Sequence, residues 1–125
     1  MQPMKHILIV DDEASIRDLL SEFFRKRGYR VSTAATPEEA QSMTDSVPIN
    51  LVILDVLLSD CDGMELLESI KKKHPNLPII IMTGIGFDEE LLKEAQQKGA
   101  AGYVSKTLPL DQLLMEVHRT LKQYK

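Results

Sequence analysis

The chain has 125 residues, 43% hydrophobic and 27% charged, proportions that suit one globular domain and exclude disordered or fibrous classes. Lysine and arginine total 15 against 19 aspartates and glutamates, a net charge of −4, which is the wrong sign for binding nucleic acid by bulk electrostatics. The single cysteine, Cys61, rules out an internal disulfide and suits a reducing compartment. No apolar run approaches the roughly 18 residues of a membrane span, and the start lacks a secretory h-region. The expectation is a soluble, cytoplasmic domain over residues 1–125.

Ile7-Leu8-Ile9-Val10 is apolar on both alternating faces, the mark of a strand covered on both sides. Ile16, Leu19, Leu20, Phe23 and Phe24 then recur at i, i+3, i+4, i+7 and i+8, a helical stripe that Gly28 stops. Tyr29-Arg30-Val31-Ser32-Thr33-Ala34 predicts a second strand, polar enough for a sheet edge. Thr36-Pro37-Glu38-Glu39 combines an N-cap, a proline at N1 and a capping-box glutamate. Leu51-Val52-Ile53-Leu54 is the third strand, and Asp62 with Glu65 opens a helix that carries Leu66, Leu67 and Ile70 inward until Pro75.

Ile79-Ile80-Ile81-Met82 is the fourth strand. Asp88-Glu89-Glu90 places acid at the positive end of a fourth helix, which Gly99 terminates. Its apolar face is thin, mainly Leu91, Leu92 and Ala95, so this helix should be the most loosely held. Tyr103-Val104 is a short fifth strand, and Leu110, Leu113, Leu114, Val117 and Leu121 define the last helix. Strict βα alternation with short connections demands parallel strands and right-handed crossovers. The fold class is therefore α/β: a doubly wound, five-stranded parallel sheet of flavodoxin-like order 2-1-3-4-5, with helices on both faces and a switch point between the first and third strands.

Ligands in such sheets bind beyond the carboxyl ends of the strands, at the switch point, so the residue after each buried run is informative. Asp11, Asp12 and Glu13 follow the first strand, Asp55 the third, Thr83 the fourth, and Ser105 then Lys106 the fifth. Neighbouring strands lie about 4.8 Å apart, which sets Asp55 beside Asp12 and Thr83, with Lys106 starting roughly 10 Å away. Carboxylates near 4 Å repel by about 1 to 4 kcal/mol at surface-like dielectrics, more than one lysine can neutralise. Mg²⁺ suits such a site, taking one or two carboxylates plus waters and a substrate phosphate. An aspartate is then free to act as nucleophile and form an acyl phosphate, with Thr83 and Lys106 placed to hold phosphoryl oxygens.

Val10-Asp11-Asp12-Glu13, Leu54-Asp55-Val56-Leu57-Leu58-Ser59-Asp60-Cys61-Asp62-Gly63, Met82-Thr83-Gly84 and Gly102-Tyr103-Val104-Ser105-Lys106 together resemble a response-regulator receiver domain of two-component signalling, over essentially the whole chain. The resemblance implies that Asp55 is the phosphoacceptor and that Asp11 and Asp12 form the acidic metal pocket for Mg²⁺. It makes the Leu57 backbone carbonyl a further ligand, sets Thr83 and Lys106 on the phosphoryl group, and casts Thr83 with Tyr103 as the switch. The donor would be a sensor histidine kinase or phosphotransfer protein, or a small acyl or amido phosphate. The face of helix 4, strand 5 and helix 5 would meet an output domain or a second copy, with no direct contact to nucleic acid or membrane.

Two positions depart from the pattern: Ser59 and Thr107 stand where the family usually has proline. The resemblance still favours a cis Lys106–Thr107 bond. The two glycines of Gly84-Ile85-Gly86 suit a backbone that follows the switch at little steric cost. His6, His74 and His118 show no metal-ligand spacing and read as structural or solvent-facing. Cys61, in a loop between two acids, reads as unreactive, and Lys71-Lys72-Lys73 and Arg25-Lys26-Arg27 read as solvated helix faces. The alternative function is a Mg²⁺-dependent phosphohydrolase with an aspartyl-phosphate intermediate. Those enzymes usually place the nucleophile after the first strand and need a cap domain, for which 125 residues leave no room. On the favoured reading the chain is not an enzyme and turns over only its own phosphoryl group.

Overall fold

Five parallel strands form one sheet in the computed structural model, which describes residues 4–58, 61–84, 88–106 and 109–123. In chain order the elements are β1 (His6–Val10), α1 (Ala14–Arg25), β2 (Arg30–Ala34), α2 (Pro37–Ser46), β3 (Leu51–Asp55), β4 (Leu57–Leu58), β5 (Cys61–Asp62), α3 (Gly63–Lys73), β6 (Ile79–Thr83), α4 (Glu89–Gln97), β7 (Gly102–Ser105) and α5 (Leu110–Gln123). The sheet runs β2-β1-β3-β6-β7, the order 2-1-3-4-5 when its five strands are counted along the chain. β1, β3 and β6 are buried at every position, while β2 at the edge keeps only Ala34 buried. Strands covered on both faces need apolar side chains at every position, and an edge strand does not.

Pleating divides the core. Ile7, Ile9, Leu51, Ile53, Ile80, Met82 and Val104 point to the side of α1 and α5, against Leu20, Phe24, Leu113 and Val117. Leu8, Val10, Val52, Leu54, Ile79 and Ile81 point to the other side, against Ala40, Leu67, Ile70 and Ala95. Thr36 caps α2 by accepting the Glu39 N–H, and Glu39 Oε1 accepts the Ala35 N–H at 2.8 Å, one residue beyond the usual capping-box reach. Asp88 Oδ1 caps α4 through the Glu90 and Leu91 amides. Only Ala95 of α4 is fully buried, in line with its thin apolar face.

The structure corrects the sequence in one segment. Asp62 stands directly before α3, whose first residue is Gly63, as the sequence predicts, but its backbone also pairs with Leu57 in an antiparallel two-residue hairpin of β4 and β5, which places Cys61 in a strand rather than a loop. The chain returns to the end of β3 as the helix begins, where the Gly63 N–H donates to the Val56 carbonyl at 3.1 Å. A Cβ at Gly63 would lie 2.4 Å from Val56 Cα and 2.7 Å from the Asp55 carbonyl oxygen, so only glycine permits this approach. Ser59, Ile85, Gly86 and Thr107 lie outside the described residues, and with them the Lys106–Thr107 bond and most of the expected Gly84–Gly86 hinge. Among the described residues no helix is long and apolar enough to cross a membrane.

Candidate functional site

Parallel register builds the site at the carboxyl edge of the sheet. Val10 pairs with Leu54, Asp55 with Met82, and Thr83 with Ser105, so the residues that end β1, β3, β6 and β7 meet along one line. Asp55 and Thr83 are the last residues of their strands rather than the first beyond them. Both are buried, as is Asp11, while Asp12 is half-buried. The backbone just past each strand is tied down: Asp11 N–H donates to the Ala34 carbonyl, Val56 N–H to Met82, and Lys106 N–H to Thr83.

Asp11, Asp12 and Asp55 each offer a carboxylate oxygen within 4.8 Å of the others. Lys106 reaches into this cluster from the far side of β6, its side chain only 13% exposed. Its Nζ donates to Asp55 Oδ2 at 2.8 Å and to Glu13 Oε1 at 2.9 Å. It also lies 3.0 Å from Asp11 Oδ2, but that oxygen is buried without a hydrogen bond. The other Asp11 oxygen accepts the Glu13 N–H at 2.9 Å, and Arg17 Nη1 donates to the Asp11 carbonyl at 2.7 Å. The lysine stem thus spans the two strands completely.

Burial pushes the Asp11 carboxyl above its ordinary value, and the Asp55 charge adds to that; the Glu13 amide and the Lys106 ammonium pull the other way without cancelling it. For Lys106, burial opposes the charged form, but the contacts with Asp55, Glu13 and Asp11 outweigh it and hold the ammonium above its ordinary value. A dense acidic set, in which the buried Asp11 Oδ2 has only its ion pair with Lys106, is a donor set that a hard divalent cation fits. The arrangement can hold a metal ion and present one ammonium to an anion beside it. Leu57, two residues after Asp55, is placed by the β4–β5 hairpin.

Tyr103 lies on β7, partly buried against the cluster that includes Ala95 and Leu91 of α4. Burial raises its phenol above the ordinary value, and the Asp88 backbone at the start of α4 acts on the same hydroxyl in the opposite sense. The predicted site residues Asp11, Asp12, Asp55, Thr83 and Lys106 therefore gather at one edge, with Tyr103 one strand further on. What the sequence did not reveal is the Glu13–Lys106 pair. The two residues are 93 positions apart, and the only local hint is an acid directly before the first residue of a helix.

The histidines are elsewhere. His6 Nε2 lies 2.7 Å from Ser32 Oγ, His74 Nε2 2.9 Å from Asp45 Oδ1, and His118 packs beside the Tyr29 ring.

Comparison with known proteins agrees with this geometry. The family model for the response regulator receiver domain matches residues 7–118. Sporulation initiation phosphotransferase F of Bacillus subtilis is 35% identical over 118 residues, covering 94% of this chain and 91% of that protein. An NtrX-like response regulator of Rickettsia felis is 37% identical over 90% of this chain, but the match spans only 24% of the relative's length. The crystal structure of a CheY-like response regulator receiver domain protein from Methanospirillum hungatei superposes with a TM-score of 0.93 at 32% identity, covering 98% of this chain and 97% of that one. Fold, strand-end residues and sequence similarity all converge, and the chain belongs to the response-regulator receiver family.

Proposed function

We propose that residues 1–125 act in the cytoplasm as a phosphoacceptor, taking a phosphoryl group onto Asp55 from the phosphohistidine of a sensor histidine kinase or phosphotransfer protein. An Asp55 carboxylate oxygen forms the new O–P bond as the histidine N–P bond breaks, and the leaving imidazole takes a proton from solvent. Lys106 turns from its carboxylate partners to a phosphoryl oxygen, and the Thr83 hydroxyl donates to another. Asp11, Asp12, Asp55 and the Leu57 carbonyl would hold Mg²⁺, which when bound screens the phosphoryl oxygens from the carboxylates around them. Later hydrolysis of the acyl phosphate returns Asp55, so the chain turns over its own modification and no separate substrate. A phosphohydrolase reading gains nothing from the site.

The observation that carries this reading is the buried ammonium of Lys106 lying 2.8 Å from Asp55 and 3.0 Å from Asp11, inside a cluster of three carboxylates. That is a cationic hand already at the place where a transferred anion would sit. Intact-mass measurement after exposure to a small acyl phosphate with Mg²⁺ is expected to show one labile phosphate on the wild type and none on Asp55→Asn. Equal labelling of the variant contradicts the assignment.

The signal would pass through Thr83 and Tyr103. Drawing the Thr83 hydroxyl onto the new phosphoryl oxygen vacates space beside β6, and Tyr103 rotates inward to fill it, releasing the start of α4. Because α4 has one fully buried residue, little packing opposes its shift. The population shift requires the phosphoryl group to favour the rotated arrangement. The face of α4, β7 and α5 then receives an output domain or a second copy of the chain. Hydrogen exchange with and without beryllofluoride tests this: protection is expected to change from Gly84 through Leu110, and change confined to the loops around Asp12 and Asp55 contradicts it.

A further inference from the structure

Glu13 occupies the N-cap of α1 with extended backbone (φ −92°, ψ 116°), yet its carboxylate makes no capping hydrogen bond. A side-chain oxygen at that position ordinarily satisfies an open amide of the first helical turn. Here Oε1 accepts instead from Lys106 Nζ at 2.9 Å, at the opposite end of the chain. Of the carboxylates around Nζ, Asp11 and Asp55 are buried members of the acidic cluster, whereas the Glu13 side chain is 56% exposed and is not one of the three clustered groups. The pair therefore serves neither the helix nor the metal-ligating set.

We propose that Glu13 is a positioning residue that governs the availability of Lys106: a counter-ion the lysine must release before its ammonium can turn to a phosphoryl oxygen. This rests on the phosphoacceptor reading above. An ammonium has three N–H donors, and here three carboxylates surround it, Asp55 at 2.8 Å, Glu13 at 2.9 Å and Asp11 at 3.0 Å; the donor given to Glu13 is withheld from the incoming group. The competition acts in the ground state, so it slows loading of Asp55 without Glu13 touching the reacting atoms. The exposed side of the pair keeps it weak enough to yield. Glu13 thus sets the rate at which the site responds while leaving intact its capacity to do so.

The test is the loading rate of Asp55 from a small acyl phosphate at saturating Mg²⁺ and low salt. Glu13→Gln keeps the size of the side chain and an acceptor oxygen but removes the charge, and is expected to load about two- to fivefold faster, the range of an exposed ion pair. The gain is expected to shrink as salt rises. A double-mutant cycle with Lys106→Met separates positioning from simple repulsion of the donor: the gain disappears in the lysine-free background if Glu13 acts through Lys106. Persistence at the same factor overturns the proposal, as do equal rates in the single comparison.

A second readout needs no loading. The Lys106 Cε resonance is expected to move between wild type and Glu13→Gln, and an unmoved resonance overturns the proposal. If wild type and Glu13→Gln both take no phosphate, the phosphoacceptor reading falls and this inference falls with it. Asp55-dependent loading without a Glu13 effect removes the inference alone.

Discussion

At the amino edge of the sheet, His6 is only 7% exposed, and its backbone N–H, its carbonyl and its Nε2 find partners that bear no charge. Its N–H donates to Asn50 Oδ1 at 2.7 Å, the Asn50 N–H donates back to its carbonyl at 2.8 Å, and its ring meets the Ser32 hydroxyl. Burial, with the Arg30 charge second, holds the imidazole below its ordinary value, which keeps the ring neutral. At the carboxyl edge, Asp11 and Asp55 are as deeply buried, but their neighbours are more carboxylates and one ammonium. A buried polar group closed on neutral partners contributes structure and little else. A buried excess of one charge costs stability, and on the proposed function it stands where a cation and a phosphoryl anion would be received.

The contrast breaks most visibly at Lys106. Lys106→Met leaves the carboxylates without their ammonium and is expected to cost about 3 kcal/mol in metal-free buffer, by chemical denaturation, as removal of one partner of a buried pair does. Added Mg²⁺ should restore part of that loss, since a dication can replace the missing charge. Asp12→Asn sharpens the contrast in the opposite direction. Relieving carboxylate repulsion is expected to stabilise the metal-free protein by about 1 kcal/mol, and the advantage should vanish or reverse when Mg²⁺ is added to both proteins. Destabilisation in metal-free buffer would mean that the acids are held together by something other than the expectation of a cation.

The smallest effect belongs to the amino edge. The His6 ring has a lowered proton affinity in the folded state, so below the ordinary histidine value near 6.5 the unfolded chain binds a proton that the folded chain does not. Stability is retained above that pH and lost as pH falls through 6.5 toward the folded value. His6→Asn is expected to flatten this part of the pH–stability curve in urea titrations, and to leave Mg²⁺ binding unchanged. An unchanged slope in the variant would assign the loss to another group.

Most of the fold was legible because each buried strand declares itself by a run of four apolar residues, and the caps at Thr36 and Asp88 by chemistry within four positions. Edge polarity alone was enough to place β2. The β4–β5 hairpin was hidden because two-residue strands have no period to detect, and nothing in the signature of Asp62 before a helix shows that its backbone also pairs with Leu57. At the site, strand-end position singled out Asp11, Asp12, Asp55, Thr83 and Lys106, since topology fixes which ends adjoin. It could not show that Asp11 buries an oxygen with no hydrogen bond, or that Glu13 turns from its helix to Lys106. Those depend on side-chain directions between segments distant in sequence, where no local pattern is written.

The central claim is that the carboxyl edge is charge-unbalanced in readiness for a cation, and a Mg²⁺ titration followed by backbone amide resonances tests it most directly. The account predicts that the resonances of Asp11, Asp12, Asp55, Val56, Leu57 and Lys106 shift together toward a single saturable end point, while those of His6, Ser32 and Asn50 at the other edge stay in place. Shifts spread over surface acids, or none at Asp55 under excess Mg²⁺, would contradict it.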